Sequence, residues 1–272
     1  MRLLFIAILA IVVSACESTV TNVTPPDVDP ELVVFSFISP ESDSILVEVR
    51  MTTPVFKGGD LNEDRVSDAT VTLATSGSSV VLPYTNNGRY VLAADQFSIT
   101  PGTSYILTVT TPRGHRAQAT TTVPVNLPVI DSVSEFSQPI GFGEFVELIR
   151  VYWQDASNEQ NNYRLVSRSV SPSSQGGDTS YFIMANALLT DESKNGLQMS
   201  ATVENYYTLV DSTENLKDVL LLNTDVNYHK YHVKRINYTG SNPFEEPLPM
   251  HDNIDGGVGC FSSYRMTKLN LF

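Results

Sequence analysis

Apolar and polar positions alternate over short stretches through the first half of the chain. Residues 32–38 form a nearly continuous apolar run, the pattern of a strand covered on both faces. Ile45, Val47 and Val49 then interleave with Leu46, Glu48 and Arg50, Val71 and Leu73 lie between threonines, and residues 80–82 run up to Pro83. Asn87-Gly88 ahead of Tyr90-Val91-Leu92 is the strongest hairpin signal, because both turn residues tolerate the positive φ of a type I′ turn. Pro101-Gly102 marks a second turn, after which Tyr105, Leu107 and Val109 alternate with Ile106, Thr108 and Thr110. A turn at residues 112–115 leads into Ala117, Ala119, Thr121 and Val123, and Pro124 stops the run. About seven short strands with regularly spaced turns predict an immunoglobulin-like β-sandwich over residues 31–124.

Beyond a stiff junction at Pro124 to Pro128 the pattern coarsens. Residues 145–153 are apolar in both registers apart from Glu147 and Arg150, which predicts a long, mostly buried strand. Further strands are expected at 163–166, 181–189, 199–207 and 218–222, with a surface loop at 171–180 rich in Ser, Gly and Pro. One helix is expected from Thr224 or Asp225, either of which can cap free backbone donors, to about Ile236. A last strand is placed at 259–264. The fold class is therefore mainly β: a sandwich followed, over residues 125–272, by a second β-rich domain with one short helix.

The amino terminus follows a different logic. Arg2 precedes an eleven-residue apolar run, Leu3 to Val13, and the small residues Ser14-Ala15 lie directly before Cys16. The run is too short for a membrane span, which takes roughly 20 apolar residues. Residues 1–15 resemble a bacterial lipoprotein signal peptide with its lipobox. That resemblance implies cleavage before Cys16, lipidation of the Cys16 sulfur, and attachment to a lipid bilayer by acyl chains such as palmitate. Two or more such chains anchor stably. Residues 16–30, with three prolines and no apolar period, read as the lipidated tether.

Charge narrows the partners. With 17 basic and 30 acidic residues the net charge is −13, which repels phosphate backbones and excludes nucleic acid as a natural partner. The same charge has no attraction for anionic headgroups, leaving the acyl chains as the membrane attachment. With Cys16 lipidated, Cys260 has no partner within the chain, so the fold rests on its core rather than on disulfides.

No constellation of residues spells a reaction. His229 and His232 share a helix face, but a zinc site needs a third ligand, and Lys230, Lys234 and Arg235 crowd the same helix. The expectation there is a solvated basic face. Asp60, Asn62 and Asp64 have the spacing of a calcium loop's first ligands, yet Arg65 stands where that loop wants glycine and Val71 where it wants glutamate. Asp252, Asn253 and Asp255 before Gly256-Gly257 are first of all turn chemistry. No Gly-x-Ser-x-Gly, phosphate-binding or dinucleotide motif occurs. Tyr206, Tyr207, Tyr228, Tyr231 and Tyr238 could present rings to a ligand, but rings so placed more often complete a β core. No catalytic, cofactor or metal residue is expected.

The order of lipobox, first sandwich, Pro-Val-Ile-Asp-Ser at 128–132, capped helix, Asn242-Pro243-Phe244 and Asn253-Ile254-Asp255-Gly256-Gly257-Val258-Gly259-Cys260-Phe261 resembles a Bacteroidota outer-membrane lipoprotein family, domain of unknown function 4249. The resemblance implies a non-catalytic accessory, by ligand capture or docking, to a TonB-dependent surface transport receptor. It implies outer-membrane localisation, with the cell-surface or periplasmic face left open and a small-molecule or glycan ligand unidentified. A surface hydrolase acting on glycans or peptides, and an adhesive or envelope-structural protein, are the alternatives. Within that group, Asp43-Ser44-Ile45, Asp131-Ser132-Val133 and Asp211-Ser212-Thr213 resemble acceptor triplets for O-glycosylation, the junctional one being the most accessible.

Overall fold

A computed structural model describes residues 29–53, 64–157, 159–171, 180–204, 216–238 and 249–270. The first half contributes β1 (Leu32–Ile38), β2 (Ser44–Met51), β3 (Thr70–Ala74), β4 (Ser79–Leu82), β5 (Tyr84–Asn86), β6 (Arg89–Ala93), β7 (Ser104–Thr110) and β8 (Arg116–Thr122). A four-stranded sheet, β4-β3-β7-β8, faces β1, β2 and β6. The inward positions of both layers, among them Val34, Val47, Val71, Leu73, Leu107 and Val109, are buried together in one core. This is the immunoglobulin-like sandwich. Its Asn87-Gly88 turn has φ of 53° and 74°, as a type I′ hairpin requires.

The second half adds β9 (Ile130–Gly141), β10 (Glu144–Gln154), β11 (Asn162–Ser171), β12 (Ser180–Thr190), β13 (Gln198–Glu204), β14 (Leu216–Thr224), α1 (Val226–Ile236) and β15 (Gly257–Asn270). The three-stranded sheet β13-β10-β9 packs Ile149, Val151, Trp153, Met199 and Val203 against Tyr163, Leu165, Val219 and Leu221 of β11 and β14. The chain among its described residues is thus mainly β, with three sheets and one short helix.

β15 joins the halves. It lies between β14 and β1 in an eight-stranded sheet ordered β12-β11-β14-β15-β1-β2-β6-β5. Its first half pairs parallel to β1, from Leu32↔Gly257 to Ile38↔Ser263, and its second half pairs antiparallel to β14, from Thr224↔Tyr264 to Asp218↔Asn270. The parallel segment demands Gly259: φ there is +134°, and a Cβ would lie 2.0 Å from the Val34 carbonyl oxygen. Upstream, the Asn253 side chain donates to the Phe261 carbonyl at 2.7 Å and accepts from the Phe261 amide at 2.9 Å, fixing the entry to the strand.

Two expectations are corrected. The strand expected at 145–153 is present, but its burial begins only near Ile149; Phe145 is exposed. The reason is β9, which the sequence pattern does not announce: its apolar positions are sparse, and it pairs with β10 as a hairpin whose tip extends past the layer beneath. At that tip Ile140, Phe142 and Phe145 are all solvent-exposed, and Phe142 has φ of 51° between Gly141 and Gly143. The last strand is also longer than the expected 259–264, because partners on both sides extend it.

Candidate functional site around the helix

The helix is placed by Asp225. As N-cap it accepts from the Tyr228 amide at 2.7 Å and from the Ser263 amide at 2.9 Å, and the Thr121 hydroxyl of β8 donates to the same carboxyl group. One side chain therefore ties α1 to the sandwich and to β15. Burial pushes its carboxyl pKa above the usual carboxylate range, and these hydrogen bonds pull against that rise.

Tyr228, Tyr231 and His232 form the buried stripe of the helix, at the three- and four-residue spacing of one face. They meet Phe35 and Phe37 of β1, with Phe37 5.4 Å from Tyr228 and 5.4 Å from His232 between ring centroids. This is why β1 reads as apolar on both registers: Val34 faces the sandwich core, while Phe35 and Phe37 face the helix. Arg164 of β11 is buried beneath the same stripe. Its Nη1 donates to the Tyr228 hydroxyl at 2.7 Å and faces the His232 ring nitrogens at 3.2 and 3.3 Å. Burial, then the nearby Arg164 charge, lowers the His232 pKa to about 3, so the imidazole is neutral and can accept from the guanidinium. Arg164 Nε has no hydrogen-bond partner among the described residues.

The solvated basic face expected for this helix is therefore corrected in part. His232 is buried as an aromatic, whereas Lys230, Lys234 and Arg235 are exposed. A three-residue step spans about 300° of helix, enough to put His232 under the helix and His229 at its flank.

That flank borders a groove of about 650 Å³, lined by His229, Lys230, Val233 and Lys234 from the helix and by Pro249, Met250, His251 and Asp252 from the opposite wall. His229 Nδ1 is buried without a hydrogen-bond partner among the described residues, while His251 Nε2 lies 3.0 Å from the Asn227 Oδ1. Burial lowers the pKa of both histidines, with the Lys230 charge adding to the effect at His251. At the other end of the helix a polar cleft of about 350 Å³ opens beside Thr122, Glu159, Asn161, Asn162, Asn223 and Asp225. Asn223 donates there to Asn161 Oδ1 at 3.1 Å and to the Asn126 carbonyl at 3.0 Å.

The remaining candidate residues do not converge. Cys16, Asp60, Asn62, Tyr206, Tyr207, residues 211–213, residues 242–244 and most of the tether and the 171–180 loop lie outside the described residues. Asp64 forms an ion pair with Arg50 at 3.4 Å. Asp252 Oδ1 accepts from the Ile254 amide at 2.8 Å, and the Asp255 backbone bridges to Gln118, so both serve the turn before β15. No three His, Cys, Asp or Glu side chains among the described residues are grouped to hold a metal ion. Tyr228 and Tyr231 are core residues and Tyr238 is exposed. Cys260 is buried against Ser262, and burial drives its thiol pKa up to about 12, so it is not a reactive thiolate. Asp131 and Ser132 are exposed on β9, whereas Ile45 of the first acceptor triplet is buried. The sequence reading missed Arg164, whose partners lie in other elements, and missed the groove, whose walls are separated in the chain.

No curated protein matches the chain. Among solved structures it is similar to the FN1-FN3 domains of chicken CNTN1, at 14% identity and a TM-score of 0.27, covering 92% of this chain and 69% of that one. The model of the family described as Domain of unknown function (DUF4249) matches residues 18–270, and the chain belongs to that family.

Proposed function

We propose that the protein is a Bacteroidota outer-membrane lipoprotein, anchored by acyl chains on Cys16, that serves as a non-catalytic accessory to a TonB-dependent surface receptor. The observation that carries this reading is Cys16 itself, placed directly after Ser14-Ala15 at the end of an apolar run too short to span a bilayer. The family match begins at residue 18, just past that cysteine, which agrees with a processed chain starting there. The exposed β9–β10 tip, with Ile140, Phe142 and Phe145, supplies a projecting apolar contact of the kind a receptor could cover.

Membrane fractionation and crosslinking test both halves of the proposal. Cys16→Ser should move the protein from the membrane to the soluble fraction, because one side chain carries the whole attachment. Crosslinking in native membranes should recover a β-barrel receptor with the wild-type chain. An unchanged membrane fraction in the variant overturns the anchor, and crosslinks to no barrel protein overturn the accessory role.

A further inference from the structure

The chain carries 30 acidic residues against 17 basic ones, yet the helix α1 contains Lys230, Lys234 and Arg235 and no acidic residue in its first turn. Cations at the last turn are expected from the helix dipole, which accounts for Lys234 and Arg235 but not for Lys230 in the middle. Lys230 and Lys234 are one turn apart on the same flank, exposed, and neither forms an ion pair with a described carboxylate. Both line the groove, whose volume of about 650 Å³ is that of a small-molecule site. Between them in the chain Val233 is half-buried, and Pro249 and Met250 line the same groove. His229 also lines the groove, with its Nδ1 buried and without a hydrogen-bond partner among the described residues.

We propose that this groove binds a small organic carboxylate, its charged group seated between Lys230 and Lys234 and its apolar body against Val233, Pro249 and Met250. Asp252 on the opposite wall repels the carboxylate and so orients it toward the helix. Paired ammonium groups repel a metal cation, and the apolar floor gives an inorganic ion nothing to bury. The site belongs to the folded body and does not depend on lipidation at Cys16 or on a receptor.

Titration of the full chain with 1-naphthoate, beside its uncharged counterpart 1-naphthamide and with matched detergent blanks, tests the proposal. Wild type should bind 1-naphthoate saturably and about tenfold more tightly than 1-naphthamide, the low end expected for charge-assisted contacts at a partly open site. Lys230→Gln with Lys234→Gln should remove that preference while leaving 1-naphthamide unchanged. Lys194→Gln, an exposed lysine in a turn away from the groove, should alter neither. Glutamine is a good helix former, so the far-UV circular dichroism should stay that of wild type. If the double variant's spectrum nevertheless changes, each single variant should lose roughly threefold for the carboxylate alone. Absence of saturable 1-naphthoate binding by wild type, or a carboxylate preference that survives the lysine substitutions, overturns the site.

Discussion

Burial beside Arg164 keeps the His232 imidazole neutral well below the pH at which a free histidine protonates. An unfolded chain titrates this group near 6.5, whereas the folded one does so at about 3. Between those values the unfolded state binds a proton that the folded state refuses, so stability is complete above about pH 6.5 and falls as pH drops. His229 and His251 are shifted in the same direction. Asp218, pushed up by burial but drawn lower on balance by Arg168 and Lys268 together, adds a loss only in the carboxylate range, and Asp225, shifted upward, acts there in the opposite sense. Chemical denaturation between pH 7 and pH 4.5 should therefore show a loss of roughly 2 kcal/mol from His232 alone. His232→Gln, which keeps a neutral acceptor for Arg164, should flatten that slope by the same amount; an unchanged slope refutes the assignment. The sequence made the histidine pair visible but not its environment. Which of two residues three positions apart turns inward depends on the aromatics of β1 and on Arg164 of β11, and neither is a neighbour of the helix in the chain.

Elements whose partners lie close in sequence were the legible ones. The hairpin at Asn87-Gly88, the β7–β8 alternation and the Asp225 cap follow from local chemistry, and the structure places each as expected. β9 was illegible because it is an edge strand with little to bury, and the apolar reading of β10 overstated its burial for the same reason. Gly256 and Gly257 read only as turn chemistry, and Gly259, placed at the start of the expected last strand, gives no sign in the pattern of the close approach it serves. Its side of β15 lies against the β1 backbone, so Gly259→Ala combines a φ that alanine resists with a contact the Val34 carbonyl cannot relieve without losing its pairing. The expected cost is at least about 3 kcal/mol by denaturant titration. Gly114→Ala, at a φ of +91° with nothing within 4 Å, should cost only the backbone strain of about 1 kcal/mol. Equal costs at the two positions would show that the close approach at Gly259 is not what matters.

At the scale of the molecule, one strand decides how independent the two halves are. Local pattern predicts a sandwich and a second β-rich part, but it carries no trace of the parallel pairing of β1 with β15 that puts strands of both parts in one sheet. Removing residues 257–272 exposes the facing edges of β1 and β14 together and opens the sandwich core at Phe261. Limited proteolysis of that truncation should leave no protected fragment over residues 31–124, whereas a stable fragment of that size would mean that the sandwich closes by itself. The same placement has a temporal side. Leu32 and Gly257 are about 225 residues apart in the chain, and contacts so distant are slow to form. The opening strand therefore keeps one flank unsatisfied until residues 257–263 reach it, so the arrival of that distant segment, not the closing of the local hairpins, sets the moment at which the sandwich seals.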